Sequence, residues 1–452
     1  MVNRETFGSN KIAILAMAGS AIGLGNIWRF PYMVGQNGGA AFIIIYILSC
    51  FLLAVPILMS ETIIGHRTHQ NTFGAMKTLA PGTKWSLLGL LTVISPFIIL
   101  SYYSVVGGWS IDFLYKSVFE GFKITDGQLQ GTSFGSFISS TWGPIICHTI
   151  FSLLCVVIVS AGVKSGIEKF NKICMPMLFI LIIFILIFSI SLPGASAGID
   201  YMLKPDFSKI TGPIVASAVG QSFFSLSLGV GTILIYSSYI KSKENILNSG
   251  IGTTAFDLIF ALLAGFAVMP AVFAAGIEPG AGPGLIFETL PFIFAKMGFG
   301  IPWISSVVAI FFFLAVVFAA LTSAISMYEA IVAYFVEEKN MSRRKATILV
   351  FFGTWFLGLF CSLSFGPLSH LKIMNLSLFD FCDKFTSNFL MTIGGLLFVI
   401  FAGWKMKKQE VWSEFTGNGK YKLNCKIFGV FYFILKFIAP IGVGVVFISN
   451  FI

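Results

Sequence analysis

Charged side chains are scarce in this sequence. Its 452 residues include 29 Lys and Arg and 19 Asp and Glu, 11% of the chain, against about 25% in an ordinary soluble domain. So little charge, beside 56% hydrophobic residues, excludes a soluble enzyme, a disordered chain and a collagen-like fibre. Cysteine is sparse as well. The seven (Cys50, Cys147, Cys155, Cys174, Cys361, Cys382 and Cys425) are an odd, scattered set with no CxxC, which excludes a disulfide framework and a zinc site. The polar–apolar alternation of a water-filled β-barrel is missing too. What fills the chain instead is long unbroken apolar runs, the mark of an all-α polytopic membrane protein in a lipid bilayer.

The net charge of +10 is not a nucleic-acid footprint. Almost all charges lie in short loops between apolar runs, where basic residues orient a membrane protein rather than bind phosphate. One HxxH, His66 and His69, has a spacing that suits a metal on a helix. With no acidic third ligand nearby in sequence it reads as two loop histidines.

A helix that crosses a bilayer needs about 20 apolar residues. That window finds eleven candidate spans: 11–35, 40–64, 86–117, 143–161, 170–192, 212–240, 249–276, 302–335, 346–366, 376–404 and 427–450. The third and eighth exceed the need and should tilt or project. The first has the basic flanks of a signal peptide, Arg4 and Lys11, but lacks an A-x-A cleavage site and continues into Asn26 and Arg29, so it reads as a retained span. With the N-terminus cytoplasmic, 20 Lys and Arg fall inside and 7 outside, Arg29 and Lys436 lying within spans; the asymmetry orients the chain and puts the C-terminus on the extracytoplasmic side. The outer segments 118–142, 193–211, 277–301 and 367–375 are long enough for short helices that act as lids.

Two spans are abnormal in the same way. Span 1 carries Gly19, Ser20, Gly23, Gly25 and Asn26; span 6 carries Gly220, Gln221, Ser222, Ser225, Ser227, Gly229 and Gly231. Glycine weakens a helix by about 1 kcal/mol relative to alanine, and exposed backbone at membrane depth survives only where it lines a cavity. Close packing through the GxxxG of Gly19 and Gly23 would account for one such span. Two, five spans apart, indicate a 5+5 inverted repeat. The expected organisation is a cytoplasmic segment 1–10, a first repeat 11–192, an outer loop 193–211, a second repeat 212–404, a cytoplasmic loop 405–426 and an eleventh span 427–452.

An unwound span makes two half-helices. Free N–H groups at their N-termini suit a carboxylate, and free carbonyls at their C-termini suit an ammonium or Na⁺. A zwitterionic amino acid matches both. GLGNIW lacks the G-x-G-x-x-G spacing and follows no strand, so a nucleotide is excluded. Oxygen donors for an alkali cation are at hand in Asn26, Ser225, Ser227, Thr322, Ser323 and the carbonyls of Gly19, Ala21 and Ile22. Asp257 weighs most: within TAFDLIFALLAG an Asp costs about 2.5–3.5 kcal/mol on insertion scales, which calls for a cation or functional partner. Glu61 and Glu329, nearer span ends, read as network residues.

RFP at Arg29–Pro31, NGG at Asn37–Gly39, GLGN in span 1, GQSFFSLSLGVG in span 6 and ALTSAIS in span 8 resemble the neurotransmitter:sodium symporter family, over spans 1 to 10, and above all its bacterial branch of leucine, tyrosine and hydrophobic amino-acid transporters. The resemblance implies two Na⁺ sites, the first with Ala21, Asn26, Ser225 and Asp257, the second with Gly19, Ile22, Ala319, Thr322 and Ser323. It implies a substrate against Ala21, Leu24, Gly25, Ile99, Tyr103, Phe224, Ser225, Ser227, Val230, Ser323 and Met327. Arg29 and Asp383 resemble the outer gate pair, Arg4 and Glu337 the inner one. Most relatives have a twelfth span, and many have an amide where this chain has Asp257, whose fixed charge could replace the chloride that animal relatives require.

Amine-transporting relatives place an acid where this chain has Gly23, so an amino acid is favoured over an amine. Val230 stands where the leucine transporter has Phe, enlarging a pocket that Ile99, Phe224 and the adaptable Met327 keep apolar. The expected activity is Na⁺-coupled symport of a hydrophobic, large or aromatic L-amino acid, without chloride and without enzymatic chemistry, since no nucleophile–base pair lies at depth. The alternatives are a carrier of small aliphatic amino acids, and a sodium channel or amino-acid receptor on the same scaffold. The oligomeric state is not legible.

Overall fold

The computed structural model describes residues 5–122, 124–125, 128–129, 133–276, 285–296 and 302–449. Nine of its helices are long and apolar enough to cross a bilayer: Ala40–Thr68, Ser86–Phe119, Trp142–Ser160, Val163–Ile190, Ile246–Ala274, Pro302–Glu338, Arg343–Leu363, Leu378–Lys405 and Lys422–Ser449. These are spans 2 to 5 and 7 to 11. Span 1 is a pair, Asn10–Ala21 and Gly25–Gln36, bent by 59°. Span 6 is likewise two pieces, Gly212–Ser225 and Thr232–Ser238, joined by the non-helical residues 226–231. Among the described residues, then, ten of the eleven expected spans are helices long and apolar enough to cross, the bent pair counted as one, and the sixth is two shorter helical pieces.

The chain makes each break by different means. In span 6, Ser227, Gly229 and Gly231 have φ of +52°, +82° and +83°, the left-handed conformation that ends a helix. In span 1 the helix stops at Ile22, whose ψ is 106°, and a second helical piece starts at Gly25 on a new axis.

Spans 3, 7 and 8 bury 61%, 67% and 61% of their most apolar stretches inside the protein, and span 11 only 28%. The former build the core; spans 4, 5, 9 and 11 turn residues such as Ile180, Phe356 and Ile441 outward, as lipid-facing helices must. One face carries short helices at Phe134–Ser139, Ala195–Leu203 and Leu285–Lys296 and the two-residue ladder of Ile124–Thr125 with Gln128–Leu129. Residues 277–284 and 297–301 of the third of these segments lie outside the described residues. The segment 367–375 is not helical: Gly366 and Pro367 open it, and Met374 and Asn375 turn left-handed at φ +51° and +63°.

The opposite, N-terminal face is shut. Phe7 wedges edge-on against Tyr236 and Tyr239, 5.9 Å from each ring. Tyr239 donates to Glu329 Oε1 at 2.5 Å, and Arg343 pairs with the same carboxylate. Beside them the helix Lys408–Thr416 is pinned to the end of span 2: Glu414 meets His66 Nδ1 at 2.6 Å and Arg67 at 3.3 Å, while Glu410 meets Arg67 at 3.2 Å. His66 Nε2 lies 3.3 Å from the Lys241 carbonyl and His69 Nδ1 3.0 Å from that of Ser238. The HxxH pair therefore sits on the last turn and left-handed cap of a helix, not in a loop, and clamps the chain after span 6.

Burial alone would raise the Glu414 carboxyl, but its hydrogen bond from His66 and the charges of His66 and Arg67 hold it below the usual carboxylate range. A lowered acid stabilises the folded state above its unfolded value and loses that contribution as pH falls through its folded value. Glu414→Gln should therefore loosen the helix Lys408–Thr416 at neutral pH, raising its amide exchange about fivefold, the worth of a partly exposed pair. Unchanged exchange in 406–417 would show that the clamp is held by apolar packing instead.

Candidate functional site

The two breaks meet at the middle of the protein, against spans 2, 3, 7, 8 and 10. Gly23 N–H turns from its helix to Asn26 Oδ1 at 3.1 Å, and Leu24 N–H points at the Tyr103 hydroxyl at 3.4 Å. From span 6, the carbonyl of Gly229 and the backbone of span 10 lie against each other. A Cβ on Gly229 would come within 2.0 Å of the Met391 carbonyl, and one on Gly394 within 2.1 Å of the Gly229 carbonyl. Gly229 N–H donates to Glu61 Oε1 at 2.7 Å, so this buried carboxylate of span 2 caps the broken strand.

Beside the breaks lies a knot of hydrogen-bonded polar side chains. Asn26 Nδ2 donates to Asp257 Oδ1 at 2.7 Å and to Ser225 Oγ at 3.1 Å, and Ser225 donates to Asp257 Oδ2 at 2.8 Å. Tyr46, 3.2 Å from Ser225 Oγ, closes the group from span 2. Asp257 and Asn26 are fully buried. Among the described residues no Lys, Arg or His comes within 4.0 Å of Asp257; its partners are neutral donors only. A buried carboxylate is costly unless it takes up a proton or a cation joins it, and carboxylate, hydroxyl and amide groups gathered around it fit a hard cation held by oxygen.

A second group forms where span 8 meets span 1. Thr322 Oγ1 lies 3.3 Å from the Ile22 carbonyl and 3.0 Å from that of Ala319; Ser323 Oγ lies 3.2 Å from the carbonyls of Ile22 and Ser20. These carbonyls and hydroxyls are all oxygen. Gly19, named with them from sequence, packs against the Asn171 side chain of span 5.

Between the groups opens a cavity of about 530 Å³ lined by Ala21, Leu24, Gly25, Ile99, Tyr103, Phe224, Ser225, Ser227, Val230, Ser323 and Met327, all the residues expected to face a substrate. It runs on past Arg29 and Asp383 to Trp28, Tyr32, Lys384 and Asn388. Arg29 lies over the Phe224 ring, 4.1 Å from its centroid, and forms no ion pair with Asp383 within 4.0 Å, so the pair flanks an open passage. Sequence reasoning missed Trp28, Tyr102, Val106, Phe379 and Met391 on the walls, because no local pattern marks an apolar residue as cavity-lining. Of the other pair, Arg4 lies outside the described residues, and Glu337 Oε2 accepts from Asn71 N and Nδ2 at 2.8 and 2.9 Å.

A polytopic helical protein with two broken spans, oxygen groups gathered at the breaks and a cavity between them is built as a membrane transporter with the leucine-transporter fold. Residues 4–128 and 128–452 match the sodium:neurotransmitter symporter family, and the chain belongs to it. It is 37% identical to the sodium-dependent transporter YhdH of Bacillus subtilis over 96% of this chain and 95% of that one. It is 35% identical to a sodium-dependent transporter of Haemophilus influenzae over 99% and 98%. The crystal structure of MhsT in complex with L-phenylalanine superposes with a TM-score of 0.87 at 36% identity, covering 99% of this chain and all of that one. The protein is thus a sodium-dependent transporter of a family of transporters, not of enzymes.

The span 6–span 10 contact allows a direct check. Gly229→Ala forces a left-handed φ on an L residue, at about 1–3 kcal/mol, and drives a Cβ into backbone. It should lower the melting midpoint in detergent by several degrees. Gly220→Ala, where the nearest atom is 3.8 Å away within a helix, should leave it unchanged or raise it. Equal midpoints for both would mean the break is not locked to span 10.

Proposed function

We propose that this protein imports a large hydrophobic or aromatic L-amino acid together with Na⁺, by alternating access and without chloride. The observation that carries the reading is Asp257: a buried carboxylate with neutral partners only, at the meeting of two broken spans. In this reading the first Na⁺ binds Ala21, Asn26, Ser225 and Asp257, and the second binds Gly19, Ile22, Ala319, Thr322 and Ser323. The fixed charge of Asp257 takes the place of an anion.

The substrate is read from the cavity. Its carboxylate meets the Tyr103 hydroxyl and the N–H groups freed at Gly23 and Leu24. Its side chain lies among Ile99, Val106, Phe224, Val230 and Met327. A Cβ at position 23 would stand 2.4 Å from Ser323 Oγ and 3.0 Å from the Tyr103 hydroxyl, so the acid that an amine carrier places there does not fit. The binding of L-phenylalanine by MhsT supports an aromatic substrate here. Arg29 and Asp383 close over it from outside, and the Phe7–Tyr239–Glu329 plug opens inside, possession of the two repeats 11–192 and 212–404 giving the halves that move. The protein sits in a bacterial-type plasma membrane with its N-terminus cytoplasmic and its C-terminus outside.

Proteoliposomes loaded with K⁺ test this. Two Na⁺ entering with a zwitterion are worth about 4.6 kcal/mol at 100 mV, over a thousandfold accumulation. Labelled phenylalanine should accumulate in Na⁺ medium, with gluconate as well as chloride, and not in choline. Uptake that ignores the exchange for choline sinks the reading; currents far above carrier turnover indicate a channel, and binding without accumulation a receptor. Asp257→Asn should bring a chloride requirement.

Specificity has its own test. Val230→Phe adds a ring to a packed wall, at about 1–3 kcal/mol. Trp, Tyr and Phe should weaken tenfold or more in competition binding, while Leu and Ala lose less or gain, and Na⁺ affinity holds. Equal weakening of all five would remove Val230 from the side-chain pocket; a parent that prefers Ala would favour the small-aliphatic reading.

A further inference from the structure

Lys436 lies in the apolar sequence of span 11, where a charge at mid-membrane would be costly. Its neighbours fix its depth. Span 11 runs antiparallel to span 10, with Phe447 against Phe389 and Lys436 against Trp404: Trp404 Nε1 donates to the Lys436 carbonyl at 2.9 Å, and a Cβ on Gly403 would lie 3.2 Å from Lys436 Cα. Lys436 is therefore level with Trp404 and Lys405, the last residues of span 10, at the N-terminal face of the bilayer. Its ammonium lies 4.6 Å from the Trp404 ring centroid and 6.0 Å from that of Tyr432, and Lys408 reaches the same Tyr432 ring at 5.5 Å.

These cations lack anions. Residues 401–436 contain Lys405, Lys407, Lys408, Lys420, Lys422, Lys426 and Lys436 against Glu410 and Glu414 only, and both glutamates are held by Arg67 and His66 of span 2. Among the described residues none of the seven lysines has a carboxylate within 4.0 Å. Directly beyond Lys436, Phe437, Ile438, Ile441 and Val445 are exposed at 43%, 42%, 68% and 53%. A cationic end at the interface followed by an apolar flank has the two-part chemistry of one anionic phospholipid. We propose that the seam between spans 10 and 11 binds such a lipid, its phosphate on Lys436 and Lys408 and its acyl chains along span 11.

Native mass spectrometry of the delipidated full-length protein, titrated with phosphatidylglycerol or phosphatidylcholine, tests the proposal. The parent should retain phosphatidylglycerol preferentially, and millimolar inorganic phosphate should not displace it. Lys436→Ala and Lys408→Ala should each weaken that retention about fivefold, and Lys436→Arg should restore it. Lys164→Ala, an exposed lysine on the same face but at span 5, should leave it unchanged. Equal retention of the two lipids, displacement by phosphate, or an equal loss in Lys164→Ala would overturn it. Should Lys436→Ala fail to fold, Lys408→Ala, on the exposed surface of a separate helix, decides alone.

Discussion

Everything in this protein hangs on satisfying backbone that two broken helices leave open in the middle of a membrane. Water is not available there to bond a stray N–H or carbonyl. Each freed group therefore recruits a partner: Gly23 N–H takes Asn26, Leu24 N–H takes Tyr103, Gly229 N–H takes Glu61, and the carbonyls of Ser20 and Ile22 take Ser323. Every one of those partners comes from another turn or another span. The polar residues that a hydropathy plot shows as blemishes are the conditions under which the breaks can exist.

Much of this was legible in the sequence, but for unequal reasons. The matching glycine pairs of spans 1 and 6 mark both breaks, yet the physics behind the shared spelling differs. Gly229 and Gly231 are required for their left-handed φ. Gly23 and Gly25 are required for space, since a Cβ would meet Ser323 and Phe224. Gly220 is required for neither. Asp257 was legible because a lone carboxylate in an apolar run has few explanations.

Contacts across large sequence distances were not legible. Tyr46 reaches Ser225 from a span with no polar pattern of its own, and His66 finds its acid 348 residues away at Glu414. Lys436 shows the same limit. Hydropathy placed it inside a span, whereas the register of two antiparallel helices places it at the boundary. Sequence periodicity gives the face of a helix but not its height relative to a neighbour.

The contact of Gly229 with Gly394 and the Met391 carbonyl has a mechanical consequence. Backbone meets backbone there, without flexible side chains to absorb a displacement, so the strand 226–231 and span 10 can slide past each other no more than two meshed gear teeth. Val230, on the pocket wall, and Asp383, two turns above Met391 on span 10, are then parts of one lever. A displacement of the cavity wall at Val230 is therefore passed to span 10 as a tilt of the whole helix rather than lost in side-chain rearrangement.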